Sequence, residues 1–230
     1  DGLAIDDIRY FAVEVQAAWP VLLAAPTNTS ARFLAEALAP QVLRESNRAS
    51  FRCDVIEQSE LAGKDLSDYR AVALLDPASL PAEVWKKLAA YCENGGGLAI
   101  FLGHNAQPAA FQDAAAVRVL GGKLTLQSRS AGDVFLSPHS YDHAILAGLR
   151  AYSTSVPWDR FPIYYHWNLD QLGDDARAVI NYSDGKPAVV ENRLGEGRVL
   201  TMTTPITDPP RPEGRQAWNE LLTGEDAWPG

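Results

Sequence analysis

A glycine-led apolar segment near the middle of the chain constrains the fold most strongly. Residues 95–105 read GGGLAIFLGHN, which is a glycine turn, a short apolar run and a second glycine turn. A continuous apolar run between turn residues is typical of a strand buried on both faces, as in parallel sheets. Ligands in open α/β folds bind at the carboxyl ends of such strands. The sequence therefore predicts that any reactive site lies around residues 102–105, next to Phe101, which offers no nucleophile.

Strands and helices alternate through the first half of the chain. Apolar runs predict strands at 21–25, 71–76 and 98–102, and the alternation of apolar with charged residues predicts another at 51–56. Helical spacing of apolar residues predicts helices around 33–38, 84–92 and 109–120. This order indicates an α/β fold that is flavodoxin-like and doubly wound, with a mostly parallel sheet and helices on both faces. In the C-terminal half, residues 123–137, 176–182, 186–194 and 198–203 predict extra β-hairpins, one of them around the Gly195–Gly197 turn.

The sequence predicts that the chain consists of three segments. Residues 1–16 are predicted to be a terminal strand, the remnant of a preceding β-domain. Residues 17–207 form the α/β domain, and 208–230, rich in proline at their start, form an irregular tail. The abrupt ends favour a soluble piece of a longer protein.

The net charge narrows the range of partners. Among 230 residues, 29 acidic against 20 basic side chains give a net charge of −9, which argues against nucleic acid and against an anionic membrane surface. No apolar run approaches the roughly 20 residues of a bilayer span, so no membrane insertion of this segment is expected. The two cysteines, Cys53 and Cys92, are too few for a cysteine-based metal site. Whether they pair stays open.

The central segment resembles the nucleophile elbow of class I glutamine amidotransferases. That family's elbow reads Gly-x-Cys-x-Gly-His-Gln, and Gly103 and His104 match it. Phe101 stands at the cysteine position. The strand 198–203 with Thr204-Pro205-Ile206 resembles the segment that carries the family's His-Pro-Glu, and there only the proline matches. Because the mechanism needs a thiolate, its base and an orienting carboxylate, the resemblance implies the fold without the activity.

More specifically, the chain resembles the amidotransferase-like domain of large bacterial membrane proteins that carry a BatA-type N-terminal region and a von Willebrand A domain. The segments that carry this resemblance are 6–10, 21–23, 35–40, 95–103 and 195–199. It implies a soluble domain of a membrane-anchored protein, and it does not indicate on which side of the membrane the domain lies. The implied partner is a protein or a cell-envelope component.

Candidate functional residues gather at the predicted carboxyl edge of the sheet. They are Asp76, Phe101, Gly103, His104, Asn105 and Thr204. A second, polar cluster holds His139, Asp142 and His143, of which the two histidines would share a face on a helix. Zinc needs three or four convergent ligands, and Pro138 disfavours such a helix, so we expect no metal and no cofactor. Aromatic residues at 158–167 are expected to pack inside the domain or to form a binding surface.

These observations favour a non-catalytic binding or scaffolding module with no catalytic residues. The alternative is a hydrolase, or a domain that binds a small ligand or sugar, with a relocated site around Asp76, His104, His139 and His143.

Overall fold

The computed structural model describes residues 17–206, 208 and 216–221, so the strand predicted within 1–16 lies outside the described residues. The strands are β1 (Trp19–Ala25), β2 (Phe51–Glu57), β3 (Ala71–Leu75), β4 (Gly97–Phe101), β5 (Lys123–Arg129), β6 (Leu136–Ser137), β7 (Tyr165–Asp170), β8 (Ala176–Tyr182), β9 (Pro187–Leu194) and β10 (Gly197–Met202). The α-helices are α1 (Arg32–Leu38), α2 (Gln41–Glu45), α3 (Ala82–Glu93) and α4 (Ala114–Leu120). Short 3-10 segments connect them.

One large mixed sheet organises the domain. Its strand order is β2-β1-β3-β4-β10-β9-β8-β6. The first five strands in this order are parallel to one another, and β9, β8 and β6 continue the sheet with antiparallel pairing. The predicted α/β class with additional antiparallel strands is confirmed, and the glycine-led strand β4 lies between β3 and β10 as expected for a central strand.

Alternating side chains of the parallel strands pack against helices on both faces. Leu22 and Leu74 face the cluster that contains Trp85 of α3. Leu23 and Leu75 belong to the cluster on the other face, which α1 covers. Because successive strand residues point to opposite faces, a run of consecutive apolar residues is what such a doubly covered sheet requires.

The helix predicted at about 109–120 is divided in the structure. A 3-10 turn covers Pro108–Phe111, and α4 begins only after Asp113, whose carboxylate accepts a hydrogen bond from the Ala115 amide at 2.9 Å. This cap satisfies an amide at the new helix start, which explains the break. Gly121, with φ +75°, ends α4 as predicted.

Strand pairing in the second half is less local than the sequence indicates. The hairpin of β9 and β10 forms around Gly195, which has φ +61°. Strand β5 pairs instead with β7 in a separate two-stranded sheet, and β6 joins β8 at the edge of the large sheet.

The described part of the C-terminal segment lies against the domain. Asn219 forms an isolated antiparallel bridge with Ile163, and the Trp218 carbonyl accepts hydrogen bonds from the amides of Tyr164 and Tyr165. The domain boundaries at 16/17 and 207/208 stay predictions. Across the described residues, every helix is too short or too polar to traverse a bilayer.

Candidate functional site

The carboxyl ends of the parallel strands bring the candidate crevice residues to one edge. Asp76 follows β3, Gly103 to Asn105 follow β4, and Thr204 follows β10. Because β3, β4 and β10 are neighbours and parallel, the strand order alone accounts for this convergence. This edge is where open α/β folds bind ligands.

Phe101, which the sequence resemblance equates with the amidotransferase cysteine, is a packing residue. It is the last residue of β4 and pairs with Leu75 of β3 and Met202 of β10. Its half-buried ring packs against the apolar cluster that α1 covers, and Ile206, at the position of the family's glutamate, packs against the same cluster. Two of the three positions that the resemblance equates with reactive residues therefore pack against the core.

Thr204, at the position of the family's histidine, is fully buried. Its hydroxyl donates to the carbonyl oxygen of Tyr165 at 3.1 Å and accepts from Nδ2 of Asn219 at 2.9 Å. Nδ2 of Asn219 also donates to the Pro205 carbonyl at 2.8 Å. The Thr204 hydroxyl thus joins β7 to the C-terminal segment, and it offers no basic group.

Asp76 and Asn105 form a local clamp across the ends of β3 and β4. The two carboxylate oxygens of Asp76 accept from the backbone amide and from Nδ2 of Asn105, each at 2.8 Å. Asp76 itself has φ +47°, a left-handed conformation that costs free energy in a non-glycine residue. Gly103 lies in close contact with the Asp76 carboxylate, since a Cβ atom at Gly103 would stand 2.7 Å from Oδ1 of Asp76.

His104 pairs with a carboxylate that the sequence did not indicate. Its Nε2 lies 2.8 Å from Oδ2 of Asp208, and the same oxygen accepts the backbone amide of Trp218 at 2.7 Å. The side chains of His104 and Asp208 are only 16% and 5% exposed. The imidazole ring meets the Trp218 ring edge-on at 4.9 Å between centroids. Asp208 and Trp218 fall in the segment predicted to be an irregular tail, where no local pattern marks them.

The aromatic residues of 158–167 mostly pack inside the domain. Phe161 and His166 are 1% exposed and Trp167 is 7% exposed. The indole Nε1 of Trp167 donates to the Gly103 carbonyl at 2.9 Å, so this ring fixes the turn after β4. Trp218 completes the group, with its ring centroid 5.9 Å from that of Trp167.

The second candidate cluster does not converge. His139 is exposed, Asp142 pairs with Arg150 at 3.5 Å, and Nε2 of His143 lies 3.1 Å from Oε1 of Glu191. A 3-10 helix covers Ala144–Tyr152, and Nδ1 of His143 caps it by accepting a hydrogen bond from the Ile145 amide. Because His139 lies before this helix, the two histidines do not share a helical face. Within the described residues, no group of three or more His, Cys, Asp or Glu side chains is placed to hold a metal ion.

Neither thiol is activated. Cys53 and Cys92 are both free, on β2 and α3. Burial raises the pKa of Cys53, and burial raises the pKa of Cys92 to about 12. A thiol with a raised pKa is a poor nucleophile at neutral pH because the thiolate is the reactive form. Chemically, the edge of the sheet therefore offers an imidazole oriented by a carboxylate, without a cysteine nucleophile beside it.

Comparisons with known proteins identify the fold. No family model matches the sequence, and no curated protein matches it. Solved structures do resemble the chain. A cytoplasmic protein of Salmonella typhimurium aligns with a TM-score of 0.59 and 14% identity over 82% of this chain and 89% of its own. A ThuA-like protein of Bacteroides uniformis aligns with a TM-score of 0.58 and 13% identity over 84% and 85%.

A β-galactosidase of Rahnella sp. R3 aligns with a TM-score of 0.53 and 15% identity over 91% of this chain but only 30% of its own. At these identities the similarities concern the fold alone. They show that the chain shares the α/β fold of these structures, one of which is described as ThuA-like, and they say nothing of its activity.

Proposed function

We propose that the chain is a non-catalytic, amidotransferase-like binding or scaffolding module of a larger membrane-anchored bacterial protein. One observation carries the proposal: Phe101 stands where an amidotransferase needs its cysteine, and its ring is used in packing. The buried Thr204 and the apolar Ile206 replace the other two reactive groups. Loss of all three removes the nucleophile, its base and the carboxylate that orients the base.

The topology supports the amidotransferase-like part of the proposal. The parallel strands follow the order β2-β1-β3-β4-β10, which is the doubly wound, flavodoxin-like order, and helices pack on both faces. The similarity to 30% of the Rahnella chain supports the role of a module, because the same fold there occupies only part of a longer protein.

The proposed partner is a protein or a cell-envelope component rather than a nucleic acid. A net charge of −9 disfavours polyanionic partners. Membrane anchoring rests on the resemblance of segments such as 95–103 and 195–199 to the BatA and von Willebrand A class.

The His104–Asp208 pair favours a second candidate function, hydrolysis through a relocated site. When the imidazole is neutral and donates Nε2–H to Asp208, Nδ1 carries no proton and acts as a base toward a water molecule. Such a base would serve a hydrolase without a cysteine, and the same edge would suit a small ligand or a sugar.

Hydrolysis of p-nitrophenyl acetate distinguishes the two functions. The purified chain is compared with His104→Gln, which removes the base, and with His139→Gln, which changes an exposed histidine. We expect all three to hydrolyse the ester at the rate of a denatured control. Activity that disappears in His104→Gln and persists in His139→Gln would overturn the non-catalytic assignment in favour of the hydrolase.

A further inference from the structure

Strand β2 lies at one end of the large sheet, and among the described strands it pairs with β1 alone. Its register with β1 runs without a shift from Phe51 to Glu57, and the strand contains neither proline nor lysine. Proteins commonly protect an edge strand with such residues or with a bulge, because a long regular edge is a template for another strand. The side of β2 away from β1, its outer edge, is therefore suited to pairing.

The backbone of β2 determines which residues face this outer edge. The Trp19 amide donates to the Ser50 carbonyl at 2.9 Å, which directs the Ser50 carbonyl toward β1. Because the backbone groups of successive strand residues point to opposite sides of the strand, those of Phe51, Cys53 and Val55 face the outer edge. Within residues 17–206, no other backbone group forms a hydrogen bond with them on that side.

This geometry limits how two copies of β2 can pair in antiparallel direction. Residues that face the outer edge must lie opposite each other, so the registers that keep most of the strand paired are centred on residue 52, 53 or 54. Centring on Arg52 or on Asp54 sets like charges directly opposite each other, which destabilises a sheet. Centring on Cys53 sets Arg52 of each copy opposite Asp54 of the other.

The two charged side chains are available for this pairing. Arg52 and Asp54 are 66% and 39% exposed, and within one chain Nε of Arg52 lies 3.9 Å from Oδ1 of Asp54. The Tyr69 hydroxyl donates to Oδ2 of Asp54 at 2.9 Å, which positions the carboxylate. In the register centred on Cys53, the two residues form non-hydrogen-bonded pairs, in which side chains of opposite strands come closest. The charges thus favour a second copy in one register and disfavour the two neighbouring registers.

The apolar side chains of β2 lie on the other face of the strand and are also complementary. Phe51, Cys53 and Val55 pack against the cluster that α1 covers, and each remains partly exposed. In the register centred on Cys53, Phe51 of each copy lies opposite Val55 of the other. Aromatic and β-branched residues form favourable cross-strand pairs, so the pairing would cover apolar surface as well as join charges.

We propose that the chain forms a symmetric dimer in which the outer edges of two β2 strands pair in antiparallel direction about Cys53. The partner is a second copy of this chain, because the charge pattern of β2 is complementary to itself in the register that the backbone allows. The two large sheets become one continuous sheet across the dimer axis. This interface is independent of the proposed function at the carboxyl edge.

Sedimentation velocity of the chain in reducing buffer tests the dimer. We expect the unmodified chain to be dimeric in the micromolar range. Arg52→Asp sets carboxylates opposite each other and should weaken association by at least about tenfold. Combining Arg52→Asp with Asp54→Arg restores opposite charges and should restore the dimer. Lys86→Asp makes the same charge change at a similarly exposed side chain of α3, 63% against 66%, and should leave association unchanged.

Cys53 gives a second measurement that needs no charge variant. Its Cα atoms would lie about 5.5 Å apart in a hydrogen-bonded pair, within the range that a disulfide spans. Oxidation by copper phenanthroline, which accepts the two electrons of the paired thiols, should therefore give a covalent dimer that Cys53→Ser does not form. The reaction is run at pH 9, because burial raises the pKa of Cys53.

The outcomes are decisive for the interface. The proposal is overturned if the unmodified chain sediments as a monomer, if Arg52→Asp associates as tightly as the unmodified chain, or if oxidation gives no dimer linked through Cys53. A dimer that Arg52→Asp weakens, that the double substitution restores and that Cys53 links supports both the interface and its register.

Discussion

Nε2 of His104 and Oδ2 of Asp208 lie 2.8 Å apart, although 104 residues separate them in the chain. The same oxygen accepts the Trp218 amide, so a single buried carboxylate fastens the C-terminal segment to the turn after β4. The pair therefore joins the C-terminal segment to the carboxyl edge of the large sheet.

Asp208→Ala should remove the two contacts that hold the C-terminal segment against the turn after β4. Removing the carboxylate leaves the imidazole and a buried backbone amide without their acceptor, so we expect the free energy of unfolding to fall by about 2 kcal/mol. Urea denaturation measures the loss, and hydrogen exchange at the Trp218 amide should become faster. The matched variant Asp142→Ala removes an exposed carboxylate and should change stability by no more than about 0.5 kcal/mol. Equal effects of the two substitutions would contradict the role of Asp208.

Gly103→Ala tests the close contact beneath Asp76. The added methyl group would lie 2.7 Å from Oδ1 and 2.8 Å from Cγ of a carboxylate that Asn105 holds in place. We expect a loss of about 1–3 kcal/mol in thermal or urea unfolding, the range for overpacking. Gly148→Ala is the control, because a Cβ there meets nothing within 4 Å. If Gly103→Ala were as stable as Gly148→Ala, the clamp of Asp76 and Asn105 would not be rigid.

Phe101→Ala tests whether this ring is a packing residue. Truncating a half-buried phenylalanine should lower the free energy of unfolding by about 2 kcal/mol, less than the loss for a fully buried ring. Phe33→Ala makes the same change on α1 at a side chain that is 54% exposed, and should stay within about 0.5 kcal/mol of the unmodified chain. A gain in stability in Phe101→Ala would instead mark a strained functional position.

The buried His166 should make stability depend on pH. Burial lowers its pKa below the ordinary 6.5. The unfolded chain therefore takes up this proton first as the pH falls below 6.5, and stability decreases in that range. Unfolding free energies between pH 7.5 and 5.5 should decline less steeply in His166→Gln. An equal slope in the unmodified chain and in His166→Gln would contradict the burial effect.

Local sequence patterns predicted the parallel half of the fold well. Strands β1, β3 and β4 are apolar runs between glycine, proline or polar turns, and a strand buried on both faces can be recognised from such a run. The edge strand β2 was recognised instead from the alternation of apolar and charged residues. The helix predicted at about 109–120 was wrong in its first half, because the cap at Asp113 was not recognised as a helix start. The pairing of β5 with β7 was not foreseen, since pairing between distant strands leaves no trace in local periodicity.

The site was predictable only where strand ends determine it. Asp76 ends a predicted strand, Gly103 and Thr204 each follow one, and the parallel arrangement then brings them to one edge. Asp208 and Trp218 were not predicted as site residues because no local sequence pattern marks them, and tertiary contacts position both side chains.

Phe101, Thr204 and Ile206 leave no catalytic group at the three positions that the resemblance equates with the amidotransferase cysteine, histidine and glutamate. Ammonia release from glutamine by the purified chain, measured at neutral pH against a heat-denatured control, tests this absence most directly. We predict that native and denatured protein release ammonia at the same rate, and that His104→Gln makes no difference. Turnover by the native chain that is lost in His104→Gln would contradict the account.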